Sequence, residues 1–186
     1  MEQSQQDDQS YKVEKVWYAM RTFNNREMAI DQFLNEHGIP HFIPMVYKEK
    51  LYAGDEKPKR VLVPVVHNLV FIQKTMHELQ LKDLLKECET PHQILHKIDS
   101  AEWSEISDQE MTEFRIICDP NYDAAQYITI EQAEAKIGKT VRVIHGPYAG
   151  IEGKMVRFGN KYFVIKTLAG IGVKLHISRW YCKILE

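Results

Sequence analysis

From Lys139 onward the sequence keeps only short alternating strands broken by glycine, whereas the residues before it alternate between helical and extended periods. A segment of roughly 50 residues without helix is too small to cover the edges of an open sheet, so a small closed barrel is expected. The stretch VIHGPYAGIEGKMVRF, residues 143–158, places Gly146, Gly150 and Gly153 inside this pattern. Glycine in a strand costs packing and backbone entropy, so the chain here must turn tightly and bulge while staying in a sheet. Pro147 fixes φ at the start of the loop, and Gly150 and Gly153 are expected to supply positive φ and close backbone approach. Gly159-Asn160 predicts the positive-φ pair of a two-residue hairpin, and Ala169-Gly170-Ile171-Gly172 a further turn.

The front part reads differently. VWYAMRT (16–22) is a half-buried strand by composition, followed by a helix with Met28, Ala29, Phe33 and Leu34 near one face. Asn24 or Asn25 is the expected cap, and Gly38 with Pro40 the stop. IPHFIPMVYKEKLY (39–52) returns to strand, interrupted by Pro44, and AGDEKPKR (53–60) is a charged loop. VLVPVVHNLVFIQK (61–74) predicts a central strand, with Pro64 at its start or at a bulge. MHELQLKDLLKECE (76–89) predicts a helix with Leu79, Leu81, Leu84 and Leu85 inward, and HQILHKI (92–98) a short strand. In SDQEMTEFRIICD (107–119), Ser107 and Glu110 have capping-box spacing. The order β-α-β-β-α-β fits a ferredoxin-like α+β sandwich. The expected division is a polar leader over 1–14, an α/β domain over 15–119, a linker with one short helical turn over 120–137, and the β-domain over 138–186.

Charge divides the same way. The formal net charge is −2, yet residues 137–186 hold nine Lys and Arg against Glu152 and Glu186. The basic segment suits a polyanionic partner, or is the ordinary outer face of a small barrel. Three scattered cysteines, Cys88, Cys118 and Cys182, argue against a disulfide framework, and the polar start MEQSQQDDQS is unlike a signal peptide. No apolar run reaches membrane-spanning length. A cytoplasmic protein is expected.

VRVIHGPYAGIEGKMV resembles the KOW motif, with Gly146, Pro147, Tyr148, Gly150, Gly153 and Lys154 at its defining positions. The Trp17-Tyr18 strand, a helix, a basic loop and an apolar strand ending LVFI resemble the NGN domain of the NusG family. NGN followed by KOW is the layout of bacterial NusG-type transcription elongation factors, and the resemblance covers residues 15–186. VPVVHNLVFI, the acidic front domain and the polar leader are most similar to the UpxY branch, antiterminators of capsular polysaccharide operons. General NusG proteins carry Pro-Gly-Tyr where this chain has His67-Asn68-Leu69.

The resemblance implies that the NGN domain docks on the clamp helices of RNA polymerase through an apolar depression and disfavours paused states. Leu69 and Phe71 match contact positions, with Trp17 and Tyr18 at the edge of the same surface; the alternative is that all four are sheet core. Arg21 and Arg26 lie where family members approach single-stranded non-template DNA. Lys48, Lys50, Lys57, Lys59 and Arg60 form a second basic cluster, for nucleic acid or merely a solvated hairpin tip. In the β-domain, bases interleave with Tyr148, Tyr162 and Trp180, as a nascent-RNA surface requires. The family also uses this domain to meet a ribosomal protein. A general elongation factor and a ribosome- or RNA-binding KOW protein are the competing readings, together with a β-domain that switches to helix.

Enzymatic and metal chemistry find little support. His92 and His96 are i, i+4 in a predicted strand with no carboxylate or cysteine completing a set, and neither GxxxxGK[ST] nor GxGxxG occurs. No cofactor, metal site or catalytic group is expected.

Overall fold

The computed structural model describes residues 15–54, 56–122, 125–135 and 137–185, so the expected leader lies outside the described residues. The front domain is built on β1 (Val16–Thr22), α1 (Glu27–Glu36), β2 (His41–Phe42), β3 (Met45–Lys50), β4 (Lys59–Pro64), β5 (Leu69–Gln73), α2 (Glu78–Leu85), β6 (His92–Ile94), β7 (Glu105–Ser107) and α3 (Asp108–Ile117). Its sheet runs β2-β5-β1-β6, with β7 also pairing β1, and every pairing is antiparallel. Strand alternation sends Trp17 and Ala19 to one face and Tyr18 and Met20 to the other. Ile30 and Leu34 of α1 and Leu81 and Leu85 of α2 pack with Tyr18, Met20, Val70 and Ile72. Met111, Phe114 and Ile117 of α3 pack against Trp17, Ala19, Leu69 and Phe71. It is an α+β sandwich with helices on both faces.

Several local expectations are corrected. The run 61–74 is two strands: Val61–Pro64 pairs with β3 in a separate hairpin, and only Leu69–Gln73 enters the central sheet. A turn at Asn68, with φ +61°, divides them. Asn24 and Asn25 do not cap α1, because both sit at positive φ; Arg26 occupies the cap without a side-chain bond. Met28 and Leu79 face solvent, at 50% and 64% exposure. The capping box of α3 forms as the spacing predicts, with Ser107 Oγ accepting from Glu110 N at 3.2 Å.

The segment expected as a linker carries β8 (Ala125–Thr129) and α4 (Ile130–Glu134). β8 pairs with β12 (Ile171–His176), and joins β9 (Lys139–Val143), β10 (Glu152–Phe158), β11 (Lys161–Leu168) and β13 (Cys182–Ile184) in one antiparallel sheet, β13-β9-β10-β11-β12-β8. Val164 faces the larger core, while Phe163 and Ile165 meet Val156 and Ala133 of α4. Burial on both faces explains the unbroken apolar run Phe163-Val164-Ile165. Gly153 has no positive φ; a Cβ there would stand 2.6 Å from the Ile165 carbonyl oxygen, so close approach alone demands glycine. At the 159–160 turn only Gly159 has positive φ.

The two sheets share one apolar cluster. Trp17, Ala19, Leu69 and Phe71 are continuous through Met111 and Phe114 with Val164, Leu168, Ile171 and Val173. Lys166 Nζ on β11 donates to Glu113 Oε2 on α3 at 2.7 Å, with side chains 17% and 13% exposed. A cavity of about 420 Å³ lies between Ala19, Leu95 and Ile106 on one side and Leu168, Ala169 and Gly170 on the other.

Candidate functional site

All four apolar residues singled out from sequence are buried: Trp17 3%, Tyr18 0%, Leu69 6% and Phe71 0% exposed. Tyr18 leaves the group altogether. It points to the α1–α2 face, edge-on to Trp103 at 5.0 Å, and burial raises its hydroxyl above the ordinary range. Trp17 lies beside α3, with Nε1 donating to Asp108 Oδ1 at 2.9 Å and the Arg115 guanidinium 5.9 Å from its ring. Phe71 packs on Phe114 with centroids 5.4 Å apart. Leu69 sits opposite Arg21 on the same sheet face. Leu69 and Phe71 are therefore covered, in one cluster with α3 and residues of the C-terminal sheet, while a hollow stays open between Ala19 and Ile106 and the Leu168–Gly170 turn. Gly170 and Ile171 also line a second hollow with Val65, Val66 and His67, just before β5.

The turn before β5 carries a network that sequence reasoning did not find. Asn68 accepts from Thr22 N at its carbonyl, at 3.0 Å, and from Asn25 N at its side chain, at 2.9 Å. Its own N–H donates to the Glu27 carboxylate, which is 1% exposed and lies 3.7 Å from His67 Nδ1. Asparagine is among the few non-glycine residues that tolerate this backbone. Here its amide also locks the β1–α1 loop. The signal was present in the sequence, as asparagine standing where glycine is usual, but its partners are distant along the chain.

The basic residues of the front domain fall in two places. Arg21 and Arg26 are exposed at the end of β1 and the start of α1. Lys48, Lys50, Lys59 and Arg60 are exposed on the β3–β4 arm, whose register sets Lys50 opposite Lys59 and Glu49 opposite Arg60. Lys48, Lys50 and Lys59 consequently share one face of the arm, and Arg60 the other. Arg60 lies 3.9 Å from the centre of the Tyr47 ring. Leu51 and Tyr52 at the tip are 66% and 50% exposed. The arm presents cations and an aromatic to water.

In the glycine stretch 146–154 that resembles a KOW motif, Gly146, Tyr148, Gly150 and Lys154 serve the local fold. Gly146 and Gly150 take φ of +84° and +96°. Tyr148 is 5% exposed and edge-on to Tyr122 at 5.7 Å, so its ring is core and does not serve as a stacking platform. Lys154 Nζ donates to the Ala133 carbonyl at 2.7 Å and ties α4 to the sheet. Arg142 is engaged by Glu152, and Lys166 by Glu113. At the junction of the domains, burial raises the Cys118 thiol to about 12, partly offset by a hydrogen bond with Tyr127 of β8.

Among the described residues no group of three or more histidine, cysteine or acidic side chains is placed to hold a metal, and no helix is long and apolar enough to cross a membrane. No curated protein matches the chain. The sequence profile of NusG, described as transcription termination factor nusG, matches residues 15–115. That span is the whole sandwich from β1 into α3, more than half of the sequence. An α+β front domain followed by an all-β C-terminal sheet accords with it. The chain belongs to the NusG family of non-enzymatic transcription factors, whose members bind RNA polymerase.

Proposed function

We propose that the chain is a specialised NusG-type antitermination and elongation factor, closest in kind to the UpxY branch that serves capsular polysaccharide operons. Its front domain grips the RNA polymerase clamp helices through the sheet face carrying Ala19, Leu69 and Ile106, with Trp17 and Phe71 forming the floor. Arg21, Arg26 and the β3–β4 arm meet non-template DNA. The C-terminal sheet, released from that face, reaches nascent RNA or a ribosomal protein.

One observation carries the reading: the apolar face of a NusG sandwich is shared with the Leu168–Ile171 turn of the second domain. A face covered by a neighbouring domain is apolar for a reason that outlasts the contact, because a protein partner can replace the same burial. The C-terminal sheet and the polymerase then compete, and binding follows the difference in affinity between closed and open forms. The His67-Asn68 turn in place of Pro-Gly supports a specialised paralogue over a general factor.

The test is a purified elongation complex paused at a leader terminator. Wild-type chain should raise read-through, and Lys166→Glu, which sets two carboxylates against each other at the domain contact, should raise clamp binding further. If neither protein binds the clamp helices or alters read-through, the reading fails.

A further inference from the structure

A row of alternating cations and rings crosses the exposed surface of the C-terminal sheet. Arg157 lies 5.8 Å from the centre of the Tyr162 ring, Arg179 6.0 Å from the same ring, and Arg179 4.8 Å from the Trp180 ring. Arg157 and Tyr162 are cross-strand partners on β10 and β11. Arg179 and Trp180 belong to a short 3-10 turn, Arg179–Tyr181, that follows β12. Trp180 is 76% exposed, an extreme value for so large an apolar ring.

Among the described residues no carboxylate forms an ion pair with Arg157 or Arg179. Arg157 donates to the Gly159 carbonyl at 2.8 Å and to Asn160 Oδ1 at 3.3 Å, both uncharged acceptors that fix its plane and leave its charge intact. Glu152 and Glu186 are the sole acids from residue 137 onward, and Glu152 is taken by Arg142. A surface for an acidic protein would use such cations too, but it does not call for a ring between the two of them and another exposed at the end. A single-stranded nucleic acid does, because it repeats a flat base and a phosphate along its length. Bases stack on aromatic and guanidinium planes, and phosphates pair with the charge.

We propose that Arg157, Tyr162, Arg179 and Trp180 form a binding site for single-stranded nucleic acid, with a base stacked on Trp180 and neighbouring phosphates against Arg179 and Arg157. This deepens the nascent-RNA partner of the proposed function, and it requires no polymerase contact.

The experiment uses the full chain and fluorescence anisotropy of a labelled oligouridylate and an oligothymidylate of equal length, at low and moderate salt, with no polymerase present. Trp180→Ala is expected to weaken binding about tenfold or more. Arg179→Gln should weaken it and lower the salt dependence by about one counterion. Lys139→Gln removes one exposed charge outside the row and should change affinity little. Equal loss on both strands supports recognition by stacking and charge; a loss confined to the ribose strand supports the same site with added reading of the 2′-hydroxyl. Absence of binding at low salt, or equal weakening by Lys139→Gln and Trp180→Ala, overturns the proposal and leaves the row to an acidic protein. Because clamp binding is not measured here, failure of this site and failure of the polymerase reading are separate results.

Discussion

Lys166 Nζ lies 2.7 Å from Glu113 Oε2, joining the second strand of the β10–β11 hairpin to the last helix of the front domain. Both side chains are largely withdrawn from water, so removing one partner leaves the other charge poorly solvated. Lys166→Met is therefore expected to loosen the domain contact, at a cost of about 1–3 kcal/mol. The double change Lys166→Met with Glu113→Leu should recover most of it. Chemical denaturation of the four proteins of the cycle measures the coupling.

Cys118, 3% exposed at the end of α3, reports on the same contact. Its folded thiol is raised from 9.0 to about 12 by burial, so its contribution to stability is fully present below the unfolded value near 9. It is lost as pH rises from there toward about 12. Alkylation by iodoacetamide at neutral pH should spare Cys118 in the wild-type chain and accelerate in Lys166→Glu. Peptide mapping distinguishes it from Cys88 and Cys182.

Asn68 holds a left-handed backbone and three hydrogen bonds at once. Asn68→Val forces a β-branched residue to φ +61° and should cost on the order of 1–3 kcal/mol or more. Asn68→Gly keeps the backbone and loses only the bond to Asn25 N, about 1 kcal/mol. Thermal unfolding of both variants tests the ranking.

The Thr22 hydroxyl is buried without a hydrogen-bond partner among the described residues. Thr22→Val preserves shape and removes the desolvated group, so stability should rise by up to about 1–2 kcal/mol. A fall in melting temperature would show that the hydroxyl has a partner in solution.

Local chemistry was the legible part of this fold. Ser107 and Glu110 announce α3, Pro44 divides β2 from β3, and Gly38 at φ +64° ends the first helix. Each depends on residues within one turn of the chain. What failed depends on distant partners. β8 reads as linker because Ala125–Thr129 has few strongly apolar residues, and its place is set by pairing with β12. The basic arm looks like one cluster, yet cross-strand register puts Arg60 opposite the lysine face. The apolar alternation at Leu69 and Phe71 fits a docking face and a sheet core alike, and burial beneath a second domain is not encoded in their spacing. The Arg157–Trp180 row combines a cross-strand pair with a turn beyond the next strand, so no window of sequence contains its geometry.

The cluster running from Trp17 to Val173 also bears on how the molecule melts. Domains joined by a bare tether absorb heat in separate steps, whereas a hydrophobic interior common to both makes each the template for the other. Calorimetry of the closed chain should show one endotherm with a heat-capacity increment appropriate to the whole length, splitting into two once the seam is cut.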